Sequence, residues 1–390
     1  MIIKKVVLDK ADRFYHFPFD LEDFLPKQRL VKIDRRLSII DLAHFNWPIK
    51  GNHNQYSGNS VEVAGRDDLL KLKKGLADWL RSEHNISVDP YREIYIGHGI
   101  RRIIFDLCLG FVEYGDIALV PEPGLPIYRR HIIAAGGVPV SYSMSDRTNY
   151  KPSFKKMAPN LSKTAKIMIL NNPHNPVGTA LDETDIGDLV RTASKENTFI
   201  VNDAAYCSLG EEKYISIFSI PGGNKVALEI FSIPLALGTT HLPFGFAIGA
   251  PEIIAGLESI GKSTGTYIPG FLIDMALKAV GNYPSGDLNA AKKKIGQSRL
   301  AAKEMAEKIG WKIIGGNSSP FVWLRIPGRR HSSAYASAIL RRRKIIVLPG
   351  NAFGDSGEGF LRLSLTATPE DYRLAAERMS KGLIMSGGSE

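Results

Sequence analysis

Two phrases, KIMILNNPHNPVGT over residues 166–179 and TFIVNDAAY over residues 198–206, decide how this chain folds. Each opens with a short β-branched, apolar run and breaks into polar residues, as a buried parallel strand does where it delivers its C-terminal end to a site. In an open α/β sheet, ligands bind at those carboxyl ends. Asn175, between prolines, and Asp203 with Tyr206 are therefore expected to converge on one crevice. A third strand, VALEIFS over residues 226–232, should bring a third group there. It runs instead into Ile233-Pro234-Leu235, with no ionisable side chain.

Outward from this centre the chain alternates. Glu93-IYIG, a helix through RRIIFDLCLGFV from Arg101, IALVPEP from Ile117, a helix after Pro126, and VPVSYSM from Val138 lead into the first phrase. A helix over 183–196 separates the two phrases, and Gly245-FAIGA comes after them. Such a strand–helix series predicts an α/β fold with a doubly wound, mainly parallel sheet covered on both faces. Residues 67–83 have helical spacing with acids first and bases later, as a helix dipole favours. Residues 251–280 look helical, and 289–309 look like a long exposed helix. Beyond them, strands at Trp311, Pro320, Ile345 and Gly359 mix with helices over 332–343 and 369–383. The expected division is an N-terminal arm (1–49) belonging to a small domain, a large domain (50–284) and a C-terminal α+β small domain (285–390).

With 390 residues, 44% of them hydrophobic, the chain can bury a large core. Cys108 and Cys207 are its only cysteines, too few and too far apart for a disulfide framework or a thiolate metal site. A reducing cytoplasm and no metal are expected. No apolar run approaches the ~20 residues of a membrane span, so no membrane association is expected. The charge of +10 could favour anionic ligands. The basic excess is spread out, however, and no helix-turn-helix or aromatic RNA-binding signature accompanies it, which argues against nucleic acid. Arg329-Arg330-His331 and Arg341-Arg342-Arg343-Lys344 read as solvated faces around a helix.

Taken together, N-P-x-N-P-x-G, D-x-x-Y about thirty residues on, Gly115-Asp116 before PEPGLPIY, and Gly359-FLRLSL resemble the class I/II aminotransferases of fold type I, in particular the LL-diaminopimelate and aspartate-type members. The resemblance covers nearly the whole chain. It implies a large domain on a mainly parallel seven-stranded sheet, a small α+β domain, a homodimer, and pyridoxal 5'-phosphate as cofactor. Asn175 and Tyr206 match the pair that holds the phenolic oxygen of the cofactor ring. Asp203 matches the carboxylate that pairs with the ring nitrogen, needed because a protonated nitrogen makes the ring an electron sink. Arg362 matches the arginine that grips a substrate carboxylate with a bidentate guanidinium. Arg101, in the first phosphate-binding turn, and Tyr56, reaching the partner subunit's phosphate, complete the expected set. Read without the resemblance, Asn175 could be a turn residue, Asp203 a helix cap and Arg362 a surface position on an alternating strand.

The departures fall on four positions. Where the family writes S-x-S-K and then G-x-R-x-G, this chain has Ser232-Ile233-Pro234-Leu235 and His241-Leu242-Pro243-Phe244-Gly245. The Schiff-base lysine thus falls on Leu235, which has no amine, and the phosphate-binding arginine on Pro243, which lacks even an N–H. The stacking aromatic falls on Leu125 and a hydroxyl residue on Ile100. Lys225, at the wrong end of its strand, and Lys262, in a later helix, are poor replacements. His241 is a candidate catalytic group, though it stands where the family has glycine. The sequence leaves three readings open: an aminotransferase-like protein acting on an amino-acid or keto-acid-like ligand, with pyridoxal or pyridoxamine 5'-phosphate held non-covalently or with a preformed aldimine; a cofactor-free protein or partner subunit that uses the old crevice; and an ordinary transaminase with a relocated lysine.

Overall fold

The computed structural model describes residues 38–45, 65–152, 164–238, 244–284, 286–328 and 331–380. Along them run β1 (Ile40–Asp41), α1 (Arg66–His84), β2 (Ile94–Gly97), α2 (Gly99–Phe111), β3 (Ile117–Glu122), α3 (Pro126–Ala134), β4 (Val138–Ser143) and β5 (Ala165–Asn171). Then come α4 (Glu183–Glu196), β6 (Phe199–Asp203), β7 (Ala227–Ser232), α5 (Ile233–Leu237), β8 (Gly245–Ile248), α6 (Pro251–Ser263), α7 (Gly270–Gly281) and α8 (Gly286–Lys308). The last elements are β9 (Lys312–Ile314), β10 (Phe321–Arg325), α9 (Ser332–Arg343), β11 (Ile345–Ile346), β12 (Leu348–Pro349), β13 (Phe360–Ser364) and α10 (Pro369–Ser380).

Seven strands form one sheet in the order β2-β8-β7-β6-β5-β3-β4. Five neighbours, β4, β3, β5, β6 and β7, pair in parallel, and β8 is antiparallel to both β7 and β2. The sheet is therefore mainly parallel, and helices cover both its faces. Alternation along β6 shows how. Val201 points to a core shared with Ile103, Ile104 and Leu107 of α2 and Leu257 of α6. Ile200 points the other way, to Ile186, Leu189 and Val190 of α4. Continuous apolar runs result from this two-sided burial. α4 keeps the ends expected of it because Asp182 accepts from the Asp185 N–H in a capping box and Asn197 closes the helix in the left-handed conformation.

A second sheet, β12-β13-β10-β9, is antiparallel throughout, and β1 pairs in parallel with β11 through Ile40 and Ile345. Three expectations need correction. The stretch 251–280 is two helices, separated where Gly265 takes a positive φ and Pro269 starts the next helix. Helix α8 is not simply exposed: Leu288, Ala291, Ile295, Ala302 and Met305 bury one face in a core shared with Tyr372 and Ala375 of α10. Lys344, expected on a solvated face, is also buried, where it closes α9. Among the described residues no helix is long and apolar enough to cross a membrane, and no cluster of ligating side chains could hold a metal ion.

Candidate functional site

Strand pairing puts Asn171, the last residue of β5, opposite Asp203, the last of β6. Asn171 then ties the two strand ends together. Its Nδ2 donates to the Asp203 carbonyl at 2.9 Å, and its Oδ1 accepts from the Asn175 N–H at 2.8 Å. The turn that carries the chain past Asn175 needs Gly178: its φ is +81°, and a Cβ there would lie 2.6 Å from the Gly316 carbonyl oxygen. Asn175 is thereby fixed, buried, above the end of the sheet.

From Asn175 a polar chain leads to the second sheet. Its Nδ2 donates to the Tyr206 hydroxyl at 3.1 Å, and its Oδ1 accepts from Nη1 of Arg362 at 3.2 Å. Arg362 sits in the middle of β13, flanked by β10 and β12, and is buried. Its Nη2 donates to the Ala43 carbonyl at 3.0 Å, and its guanidinium lies 4.1 Å from the Phe321 ring centroid and 5.2 Å from that of Phe353. Nε is buried with no partner among the described residues. Burial lowers the guanidinium pKa to about 10, against the field of Tyr206.

Asp203 is buried beside this chain. Its Oδ2 accepts from the Tyr128 hydroxyl at 2.7 Å and its Oδ1 from the Ala205 N–H at 3.0 Å. Burial raises its pKa to about 6, although these two hydrogen bonds and the charge of Arg101 oppose the rise. Burial, reinforced by the charge of Asp203, also pushes Tyr206 up to about 12, so that hydroxyl keeps its proton at neutral pH.

The structure therefore brings Asn175, Tyr206 and Arg362 into one hydrogen-bonded chain with Asp203 alongside. Arg101, in the first turn of α2, is exposed, and its charge acts on both Asp203 and Tyr206. Leu235 lies in α5, directly after β7, partly buried against the same apolar cluster as Tyr206. Ile100 and Leu125 are partly buried against the core on the α2 and α3 side. Lys225 precedes β7 at the end remote from the crevice, and Lys262 is exposed near the end of α6. Tyr56, His241 and Pro243 lie outside the described residues.

Sequence reasoning missed Tyr128, Asn171 and the two rings around Arg362. Tyr128 lies three residues beyond Leu125, so its helical spacing was a usable signal. The aromatic pair was hidden, because Phe321 lies 41 residues before Arg362 and Phe353 reaches it from a separate short helical turn nine residues upstream.

Comparison with known proteins identifies the family and the fold. The family model for class I and II aminotransferases matches residues 49–379. An LL-diaminopimelate aminotransferase of Aquifex aeolicus is 30% identical over 385 residues, covering 95% of this chain and 98% of the relative. One of Maridesulfovibrio salexigens is 30% identical over 318 residues, covering 80% of this chain and 81% of the relative. Among solved structures, the aspartate aminotransferase of Thermotoga maritima superposes with a TM-score of 0.81 at 21% identity, over 95% of this chain and 99% of that one. The aspartate aminotransferase of Thermus thermophilus with maleate gives 0.80 at 19%, over 96% and 100%. At these identities the structural likeness is one of fold. The matched span and the full-length relative together make this chain a member of the class I and II aminotransferase family.

Proposed function

We propose that the crevice binds an amino-acid- or keto-acid-like carboxylate on Arg362 without a lysine to carry the family's cofactor, pyridoxal 5'-phosphate. The observation that carries this reading is Arg362 itself: a buried guanidinium, aligned by Asn175 and Ala43, with no carboxylate partner among the described residues. A buried cation left without a counter-charge is costly, and an anionic ligand with two oxygens removes that cost.

The residues present fit one half of the cofactor. Asp203, Asn175 and Tyr206 form a polar edge suited to the nitrogen and phenolic oxygen of a pyridine ring. Hydrocarbon side chains stand at the other positions, with Leu235 for the amine, Leu125 for the stacking ring and Ile100 for the hydroxyl. That set does not fit a covalently anchored cofactor and supports no reaction step through one. Pyridoxal or pyridoxamine 5'-phosphate would be held non-covalently by the polar edge, with Arg101 as the described cation nearest in sequence to the former phosphate turn.

The second reading, a cofactor-free protein or partner subunit, is favoured by the polar groups satisfying one another: Tyr128 with Asp203, and Asn175 with Tyr206. The large domain over 50–284 and the small domain from 1–49 plus 285–390 are taken as the two walls of the crevice. We take the assembly as a homodimer in the cytoplasm, with Tyr56 reaching the partner's crevice.

Isothermal titration with L-leucine and its 2-oxo acid tests the Arg362 assignment. Arg362→Gln should weaken binding of either carboxylate by roughly ten- to hundredfold, the worth of a charge-assisted bidentate contact. Unchanged affinity would remove Arg362 from the site.

A further inference from the structure

We infer that Arg299, a buried residue of α8, is a positioning residue for the carboxylate site: it grips the segment 315–319, and that segment fixes the pieces of chain that aim Arg362. The inference rests on the assignment of Arg362 as the carboxylate anchor. Helix α8 turns an apolar face to the core, so a guanidinium only 2% exposed on it must be matched by polar partners. Arg299 Nη2 donates to the carbonyls of Asn317 and Ser319, both at 2.9 Å, and its Nε lies 3.0 Å from Oε1 of Glu211. The planar fork thus joins two pieces of chain, the approach to β10 and the loop after Tyr206.

The gripped segment is wedged against both loops that carry the site. On one side the Gly316 N–H donates to the Val177 carbonyl at 3.2 Å and the Ser318 N–H to that of Gly178 at 2.8 Å, just beyond Asn175. Nothing larger than hydrogen fits there, since a Cβ on Gly316 would lie 2.5 Å from the Gly178 carbonyl oxygen. On the other side the Glu211 N–H donates to the Asn317 carbonyl at 3.4 Å, and a Cβ on Gly210 would lie 2.8 Å from that of Ser318. This second loop begins at Tyr206, whose own carbonyl accepts from the Leu209 N–H at 3.0 Å.

Two residues past Ser319 the chain reaches Phe321, whose ring lies 4.1 Å from the Arg362 guanidinium and 5.4 Å, edge-on, from the Tyr206 ring. Asn175 and Phe321 touch Arg362 directly, and Tyr206 touches both of them. The chain segments bearing all three meet at 315–319. Loosening that segment lets the turn of Asn175, the loop of Tyr206 and the start of β10 shift separately, and the guanidinium loses its fixed direction while keeping its charge. The coupling is reciprocal: if the grip of Arg299 raises the affinity of Arg362 for a carboxylate, a bound carboxylate must tighten the grip by the same factor.

Titration calorimetry with 4-methyl-2-oxopentanoate, the 2-oxo acid of leucine, tests this on the full chain, with thermal unfolding of each variant alongside. Arg299→Gln should weaken the oxo acid roughly five- to fiftyfold, as for coupled residues of one network. Arg299→Lys, which keeps a charged donor for the two carbonyls, should stay within about threefold of the parent. In the Arg362→Gln background Arg299→Gln should add less than about twofold, because the group it misaligns is gone. In the unsubstituted protein, saturating oxo acid should slow amide hydrogen exchange in peptides covering 315–319 at least about threefold, a readout that holds even if Arg299→Gln fails to fold. Exchange there unmoved by the oxo acid, an Arg299→Gln affinity within about twofold of the parent, or equal losses with and without Arg362 would overturn the inference and assign Arg299 to the fold alone. Those results leave Arg362 as the anchor if Arg362→Gln still weakens the oxo acid. An oxo acid that fails to bind the parent, or binds Arg362→Gln as tightly, overturns the anchor and this inference with it.

Discussion

Arg362 Nη1 donates to Asn175 Oδ1 at 3.2 Å across 187 residues of chain, joining the middle of β13 to the turn after β5. The contact makes the guanidinium's orientation depend on a residue in the other sheet's loops. Replacing Asn175 with Ala should therefore weaken carboxylate binding even though the charge of Arg362 is kept. In a double-mutant cycle with Arg362→Lys, the coupling energy should be at least about 0.5 kcal/mol, as for residues in one hydrogen-bond network. Strict additivity would mean that the two act separately.

A second prediction concerns Glu229, which is buried in β7 on the sheet face opposite Asp203. It accepts from Asn202 Nδ2 at 2.9 Å, from the Ile217 N–H at 3.2 Å, and from the hydroxyls of Tyr214 and Ser216. Glu229→Ala strands these donors in the core and should cost roughly 3–5 kcal/mol in urea unfolding, with Glu229→Gln costing less. Since the network lies away from the crevice, leucine affinity of the folded fraction should be unchanged.

Acid should destabilise the protein through three histidines whose ring nitrogens are buried. Burial lowers His84 to about 4, His131 to about 4 and His174 to about 3. As pH falls from about 6.5 toward 4, the unfolded chain takes up protons that the native chain refuses, so stability is full above this window and is lost through it. Asp203, raised to about 6, works in the opposite direction, because its ionised form is the one burial penalises. His84 lies among the rings of Trp79, Tyr214 and Phe231, and neither of its ring nitrogens has a partner among the described residues. His84→Phe should remove roughly 2–3 kcal/mol of the stability loss between pH 7 and 4.5. A variant as acid-sensitive as the parent would exclude His84 from that loss.

Leu235→Lys alone should not create a cofactor site, because Leu125 and Ile100 still present hydrocarbon and Pro243 still lacks a donor. The triple change Leu235→Lys, Pro243→Arg, Leu125→Tyr should bind pyridoxal 5'-phosphate at least about tenfold more tightly than the single variant, each recovered charge-assisted contact contributing roughly 1.5–3 kcal/mol. Fluorescence titration reads the difference. Equal affinities would show that position 235 acts alone.

Much of this arrangement was legible in the sequence because it is encoded locally. The apolar runs before Asn175 and Asp203 marked two strand ends, and the helix expected over 183–196 is α4. Arg362 was legible only as one position in FLRLSL. Its burial depends on Phe321, Phe353 and Asn175, which no periodicity connects to it. Glu229 is a charged residue in an otherwise apolar strand, and its partners were not legible because the hydroxyls that satisfy it come from the loop after Tyr206. Helix α8 was misread as exposed because alanines carry much of its buried face. Small side chains give little contrast to a helical pattern, yet they allow α10 to approach closely.

The central claim is that no lysine of this chain carries the family's cofactor in the crevice, and borohydride reduction tests it most directly. The purified protein, incubated with a slight excess of pyridoxal 5'-phosphate, is reduced and examined by absorbance between 300 and 500 nm and by peptide mass, with and without saturating 4-methyl-2-oxopentanoate. The expected result is a colourless protein with no stoichiometric phosphopyridoxyl-lysine and no modification that the oxo acid suppresses. A yellow protein yielding one such lysine per chain, protected by the oxo acid, would contradict the claim and show that a lysine elsewhere in the sequence reaches the polar edge formed by Asn175, Asp203 and Tyr206.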